Sequence, residues 1–467
     1  MPAGDSPDVL VARFLRANNF KETFEAFVRE TNLTPESITN NSTDLTIEQI
    51  LEEKKLYDLA VRFEKLTTSI GDVDFAVPYP NTPTSLTTLS SASNILSLTL
   101  TSLFIDDSPR QVIISTTSDK ALRIYSAKKP HDLIQTIAGL HTGPILCVLP
   151  IAQRWLITAS MSRDIAISDI KGDVLHRWEG HGKYIVKLAI SEPLTLESSE
   201  AEEVRYIAAA SYDKSLSVHK LRIPLARSST SEEEGEERGE SKPPSLELLQ
   251  MLKFPDTVED VIFSKDFSDS QNSTKTLLVA TIRDSAYLHI YSSINTAPAS
   301  SSSSSSSSTN QPFTFLSKTP LNATSTTWLT YTPTSLSPHP QHPHLLALIT
   351  SSLPAPKLIL YNLQTFTVEK EFAVPINLSA YSTGIVTWRG DANASGVWVN
   401  GDDGLVKGVE VKSGKVMVEL KGHEGRKVRC LVAGIVAGNG DGGEEEEVMV
   451  SGGFDGGLKV WRVGGGE

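Results

Sequence analysis

The chain has little cysteine, no long apolar run and no basic excess. Two cysteines in 467 residues, Cys147 and Cys430, exclude a disulfide-built scaffold. Both sit in apolar contexts, Ile-Leu-Cys147-Val-Leu and Val-Arg-Cys430-Leu-Val, and read as buried strand thiols too far apart to bridge. No stretch approaches the roughly 18 apolar residues that span a bilayer, so no membrane partner is expected. Met1 to Asp8 has neither the basic region nor the apolar core of a secretory signal, which points to the cytosol, the nucleus or both. A phosphate-binding Gly-rich loop, a His-Glu-x-x-His helix, a Cys/His zinc pattern and a Gly-x-Ser-x-Gly turn are all missing. No cofactor and no metal are expected.

The net charge of −13 is unevenly spread. Residues 232–240 hold six Glu and one Arg, and residues 444–447 hold four Glu, so these two runs carry −9 of it. Both read as solvated insertions. The acidity argues against direct nucleic-acid binding, which needs a basic footprint.

What the chain does have is repetition. Seven segments share an apolar strand, a turn and a second apolar strand. They are Val112–Tyr125, Leu156–Asp169, Tyr206–His219, Leu277–Tyr291, Leu345–Tyr361, Gly396–Glu410 and Val448–Trp461. Six carry Asp in the turn, at Asp119, Asp164, Asp213, Asp284, Asp403 and Asp455, whereas the fifth has Leu353-Pro-Ala-Pro-Lys357. The first three turns lie 45 and 49 residues apart, the period of one four-stranded propeller blade. Longer gaps hold insertions near 226–244, 297–310, 332–344 and 438–447. The first contains Pro243-Pro244, the second the tract Ser300–Ser308, and the third His339, His342 and His344, a flexible loop with no fixed metal geometry.

The last repeat is the best preserved, with His423, Ser451, Asp455 and Trp461 as a tetrad. Here the sequence resembles WD repeats. The resemblance implies an all-β seven-bladed propeller, in which the tetrad is a hydrogen-bond relay that stiffens a blade and not a hydrolase triad. Other blades keep fragments. The second has Ser160, Asp164 and Ser168-Asp169, with Gly180-His181 leading onward. Tyr125, Tyr291, Tyr361 and His219 stand where Trp is usual. The final repeat ends after its third strand, so a strand near Thr84–Leu89 is expected to close the ring, over residues 84–467.

Before the ring, residues 8–31 show an apolar stripe of helical period through Val11, Phe14, Leu15 and Phe20, continued by Phe24 and Phe27. Asn18-Asn19 falls where a helix–helix turn fits. Residues 46–66 form a further helical stretch. The run Phe14-Leu-Arg-Ala-Asn-Asn19-Phe20, with Phe24, Phe27 and Glu30-Thr31, resembles the lissencephaly-type homology (LisH) motif, with Asn19 in place of its usual Gly. That resemblance implies a dimerisation module over 1–70 using Val11, Phe14, Leu15, Phe20, Phe24 and Phe27, joined by a Pro-rich linker at 71–83.

The expected function is a non-catalytic scaffold, homodimeric through LisH, whose propeller binds protein partners within a multisubunit complex. The resemblance places candidate contacts beside the turn Asp and before the innermost strand, at Arg163, Tyr184, Tyr212, Arg283, Lys427 and Phe454. A ubiquitin-ligase substrate receptor is an alternative, since LisH and WD modules co-occur there. Its Trp-Asp-x-Arg signature has only the echo Ser168-Asp169-Ile-Lys171. An enzyme working in the central channel is a remoter alternative, because no carboxylate or His cluster is expected to converge there.

Overall fold

The computed structural model describes residues 7–34, 73–86, 93–106, 108–194, 198–199, 202–225, 243–267, 275–294, 312–321, 331–351, 356–379, 382–391, 393–423, 425–438 and 445–464. The chain divides into two compact units, residues 1–67 and 68–467.

In the first unit, helices α1 (Pro7–Ala17) and α2 (Lys21–Thr31) form a hairpin. The turn between them is a Schellman motif. Asn19 takes φ 63°, Phe20 N donates to Leu15 O (3.0 Å) and Asn19 N to Arg16 O (3.2 Å). Asn is one of the few side-chain-bearing residues that adopts this left-handed conformation readily, which is why it can replace Gly. The helical stretch expected at 46–66 lies outside the described residues.

The second unit is a seven-bladed β-propeller, each blade a four-stranded antiparallel sheet. Strand β1 is Thr82–Leu86. Blade one is β2–β5 (Ile95–Ile105, Ser108–Thr117, Leu122–Ser126, Leu133–Ile137) and blade two β6–β9 (Ile145–Ile151, Trp155–Ser160, Asp164–Asp169, Val174–Glu179). Blade three is β10–β13 (Ile185–Ile190, Glu202–Ser211, Ser215–Pro224, Ser245–Lys253) and blade four β14–β17 (Val258–Lys265, Thr276–Ile282, Tyr287–Ser293, Phe313–Pro320). Blade five is β18–β21 (Pro333–Pro338, Leu345–Thr350, Lys357–Asn362, Thr367–Ala373) and blade six β22–β25 (Val386–Trp388, Val397–Asn400, Leu405–Val409, Val416–Lys421). Blade seven holds β26–β28 (Val428–Ala437, Glu445–Gly453, Leu458–Arg462). Its outermost strand is β1, paired antiparallel to β28 from Thr82↔Arg462 to Leu86↔Leu458.

All seven strand–turn–strand segments are the middle hairpins of the seven blades. The apolar core divides the same way, into seven clusters, each shared by two adjacent blades. The cluster closing blade seven on blade one contains Leu86, Ile113, Tyr125, Val448 and Val460. No blade buries its faces alone, so the ring forms as a whole.

Three sequence expectations fail here. The Pro/His segment 332–344 is not an insertion. Pro333–Pro338 is the innermost strand of blade five, and His339 is 1% exposed with its Nδ1 accepting the N–H groups of Gln341 (3.2 Å) and His342 (3.1 Å). Proline is tolerated because this strand pairs on one side only. The second acidic run is likewise structured: Glu445–Glu447 opens β27, where Glu446 pairs with Arg462 and Glu447 with Arg389.

The linker at 71–83 is docked over its described part. Phe75 is buried, 5.9 Å from the Trp398 ring, in a cradle where a Cβ on Gly396 or Gly408 would come within 2.6 or 2.7 Å of its ring. Ala76 N donates to Ser395 Oγ (2.9 Å), and Arg389 donates to Ala76 O (2.7 Å). The 226–244 and 297–310 insertions lie almost wholly outside the described residues.

Candidate functional site: the tetrad and the channel mouth

His423 stands just before β26, Ser451 on β27, Asp455 in the turn and Trp461 on β28. The Trp461 indole N–H donates to Ser451 Oγ (2.8 Å), which lies 2.8 Å from His423 Nε2. The Asp455 carboxylate at Nδ1 can only accept, so in the neutral imidazole Nε2 is bare and accepts the Ser451 hydroxyl proton. His423 Nδ1 therefore carries the ring proton and donates to Asp455 (3.1 Å). Burial, against the pull of Asp455, holds the imidazole below its ordinary pKa, so the relay works neutral. Gly422 is required at its position because a Cβ there would meet the Trp461 ring at 2.7 Å.

Two further blades rebuild the relay with other residues. In blade two His141 bonds Asp164 (2.8 Å) and Thr158 (2.7 Å), and Arg177 also grips Asp164. Register puts Thr158 opposite Ala166 as Ser451 is opposite Lys459, so Thr158, not Ser160, occupies the serine position. Gly180-His181 serves blade three, where His181 bonds Asp213 (3.2 Å) and Ser217 (2.9 Å). In that blade the serine has moved from the second strand to the third. His219 fills the indole position, and Trp178 of the preceding blade packs edge-on against it at 4.5 Å. A Cβ on Gly180 would meet that Trp178 ring at 2.2 Å, so each glycine faces an indole whichever strand supplies it.

The candidate contact residues fall into separate groups. Tyr184 and Tyr212 stack (ring centroids 4.7 Å, planes 20° apart), Arg283 lies 5.1 Å over Tyr212, and its Nη1 donates to the Tyr212 hydroxyl (2.9 Å). Arg283 Nε donates to Glu259 Oε1 (2.5 Å). Lys427 is tied down by Ser379 (2.9 Å), Ser382 (2.6 Å) and Asp402 (3.1 Å). Phe454, 39% exposed, is next to Lys427 through its backbone N–H to Lys427 O (2.9 Å). Arg163 is exposed in the blade-two turn, at φ 75°.

Tyr184, Tyr212 and Arg283 rim the central channel, a cavity of about 430 Å³ to which all seven innermost strands or the residues just before them contribute. Six of those strands carry a one-residue register shift at the same point. The bulged residues are Leu96, Leu146, Val186, Glu259, Thr334 and Arg429, and each lines the channel. A bulge bends the strand and re-aims a side chain, here inward.

Contrary to the sequence expectation, carboxylates do reach the channel. Asp260 holds Lys187 Nζ (3.1 Å) and accepts the Leu336 N–H of blade five (2.8 Å). Glu259, raised in pKa by burial despite Arg283, stands beside it. The sequence signal was the break in alternation at Val258-Glu-Asp-Val261 and Val428-Arg-Cys-Leu431, which marks a bulge. Cys147 and Cys430 also line the channel as free thiols, and burial pushes Cys430 up to about 12. Among the described residues no group of three or more His, Cys, Asp or Glu could hold a metal ion, and no helix is long and apolar enough to cross a membrane.

The fold is a seven-bladed propeller, and its last blade carries a WD-type tetrad. The family model "WD domain, G-beta repeat" matches residues 414–462, the outer strand of blade six and all of β26–β28. Among solved structures the chain is similar to the crystal structure of Saccharomyces cerevisiae Sqt1, at 13% identity and a TM-score of 0.50, covering 83% of this chain and 100% of that one. At that identity the likeness concerns the fold alone. No curated protein sequence matches the chain.

Proposed function

We propose that the protein is a non-catalytic interaction scaffold whose propeller receives a protein partner at the channel rim. One observation supports this most: Tyr184, Tyr212 and Arg283, from three separate loops, converge on one stacked, partly exposed cluster. Tyr and Arg held rigid in this way are the usual anchors of protein interfaces. Glu259 and Asp260 are each already engaged by a cation, which supports binding over acid–base chemistry. Arg163, Lys427 and Phe454 extend the rim as secondary contacts, and the cytosol or nucleus is the compartment in which we place the protein.

We propose in addition that the N-terminal hairpin dimerises. Helix α2 buries none of its residues, and Phe20 is 52% exposed. Such a pair of helices lacks the core to stand alone. Doubling the propeller would raise avidity for a multivalent partner without any new contact.

The test is affinity purification with quantitative mass spectrometry on full-length protein. A Tyr212→Ala/Arg283→Ala variant with an unchanged melting temperature should lose partners that the wild type retains. An identical partner set from both proteins would rule out the rim as the binding site.

A further inference from the structure

The ring of bulged residues is chemically lopsided. Blades one, two and three contribute Leu96, Leu146 and Val186, blade four Glu259, blade five Thr334 and blade seven Arg429. Blade seven neighbours blade one through ring closure, so Arg429 stands at one end of an unbroken apolar arc. Of the charged channel residues, Lys187 is paired with Asp260 and Arg283 with Glu259. Arg429 is half-buried, and its guanidinium makes no hydrogen bond or ion pair with the described residues, attracting Glu259 only at longer range. A guanidinium offers five donors in a planar fork that fits a carboxylate.

We propose that the channel mouth is a receptor for an acidic side chain of a protein partner. Arg429 takes the carboxylate, and Leu96, Leu146 and Val186 take an apolar side chain beside it. The assignment rests on the scaffold reading and adds the chemistry of the ligand. A free oxyanion would satisfy Arg429 but leave the apolar arc unused. A nucleic acid would meet, among the described residues of the channel, one cation outside an ion pair, an apolar arc and two carboxylates. A short peptide segment uses every part of the site, and the Tyr184–Tyr212–Arg283 rim lies at its entrance.

The experiment uses the full-length protein and an array of capped 12-residue peptides. Each carries Glu beside Leu, Ile, Val or Phe, with a copy in which Gln replaces Glu. Wild type should prefer the Glu peptides by about tenfold or more, the scale of one charge-assisted bidentate pair. Arg429→Gln should lose that preference, and Arg429→Glu should turn it toward peptides with Lys in place of Glu. Leu96→Glu, which supplies an acid from the neighbouring blade, should block Glu peptides while leaving Arg429 in place. Melting curves accompany each variant, so that Leu96→Glu decides if an Arg429 variant does not fold.

Equal binding of Glu and Gln peptides, no peptide binding, or an Arg429→Gln protein with the wild-type preference would each overturn the proposal. Binding of inorganic phosphate without peptide selectivity would assign the site to a free anion and also overturn it. A partner captured equally by wild type and Arg429→Gln, but lost by the Tyr212/Arg283 variant, would sink this inference and leave the scaffold reading standing.

Discussion

Arg389 of blade six and Glu447 of blade seven form a buried, two-pronged ion pair, with Nε–Oε1 at 3.1 Å and Nη2–Oε2 at 2.6 Å. Neither side chain is more than 7% exposed. The same guanidinium donates to Ala76 O (2.7 Å) and lies 4.3 Å over the Phe75 ring. One side chain therefore joins two blades and the segment that leads into the closing strand. Charges this deep survive only when every donor and acceptor is met.

Removing one partner should be far worse than removing both. Glu447→Ala should cost about 3–5 kcal/mol, because it leaves the buried cation with only the longer ion-pair contact to Asp391 (3.4 Å). Arg389→Met with Glu447→Leu should cost less than that single change, despite removing more polar contacts. Guanidinium unfolding of the three proteins checks the order. A double variant as unstable as Glu447→Ala would show that the pair itself, not the orphaned charge, carries the stability.

The segment before β1 should behave as part of the ring. Phe75→Ala empties the cradle formed by Gly396, Gly408 and Trp398, and should cost about 3–5 kcal/mol as a large-to-small core change. A chain beginning at residue 68 should melt as the intact propeller does, whereas one beginning at Thr82 should melt markedly lower. Equal melting temperatures for the two would make residues 73–81 a passive tether.

These contacts also mark how far the sequence could be read. The seven middle hairpins were legible because apolar strand, turn and apolar strand are local patterns, marked by Asp in six of the seven, and the Asn18-Asn19 turn for the same reason. Pro333–Pro338 was not, because an innermost strand bonded on one side tolerates the prolines that elsewhere signal a loop. Glu445–Glu447 read as solvent-facing because the cations that neutralise it come from Arg389, 58 residues earlier, and from Arg462 on the next strand. Phe75 looked like a linker residue, since the glycines that admit it are over 300 positions away. The blade-three relay hid its serine on the wrong strand and its indole in the previous blade. In each case the missing information was a long-range partner.

Acid should weaken the propeller before its carboxylates titrate. Burial holds His141, His289 and His339 to about 4 and His219 to about 3, with nearby cations or imidazoles adding to the effect. In the unfolded chain each would titrate near 6.5. Between those values the unfolded state binds more protons, so stability rises with pH and is lost as pH falls from about 6.5 toward 4. Near pH 5 the slope of unfolding free energy against pH should correspond to an uptake of at least about three protons, with His131, His181, His344 and His423, also lowered by burial, adding to it. The depressed carboxylates Asp119, Asp213 and Asp402 act in a lower window, below the ordinary carboxylate range. A melting temperature flat from pH 6.5 to 5 would refute neutral buried imidazoles.

Light scattering tests the proposed dimer. Full-length protein should have twice the chain mass, and a chain of residues 68–467 should be monomeric. Phe14→Ala/Phe24→Ala should shift the full-length protein toward monomer without altering the propeller's melting. If full-length and shortened proteins show the same oligomeric state, the LisH reading falls.

The sharpest test of the tetrad is one substitution made at two equivalent positions. Ser451 faces Lys459 across its hairpin, and Ser115 faces Arg123 in the same register of blade one. Both are essentially inaccessible to solvent. Ser451 Oγ serves the Trp461 indole and His423, whereas Ser115 Oγ has no hydrogen-bond partner among the described residues. Burial and helix or strand propensity are therefore matched, and only the relay differs. Ser451→Ala leaves a buried indole N–H and an imidazole nitrogen unmet and should cost about 1–3 kcal/mol. Ser115→Ala removes an unsatisfied hydroxyl and should be neutral or slightly stabilising. Urea unfolding of the two variants decides between them. Equal losses would mean that the relay adds nothing beyond packing, and that blade seven owes its well-kept tetrad to something other than stiffness at the closing seam.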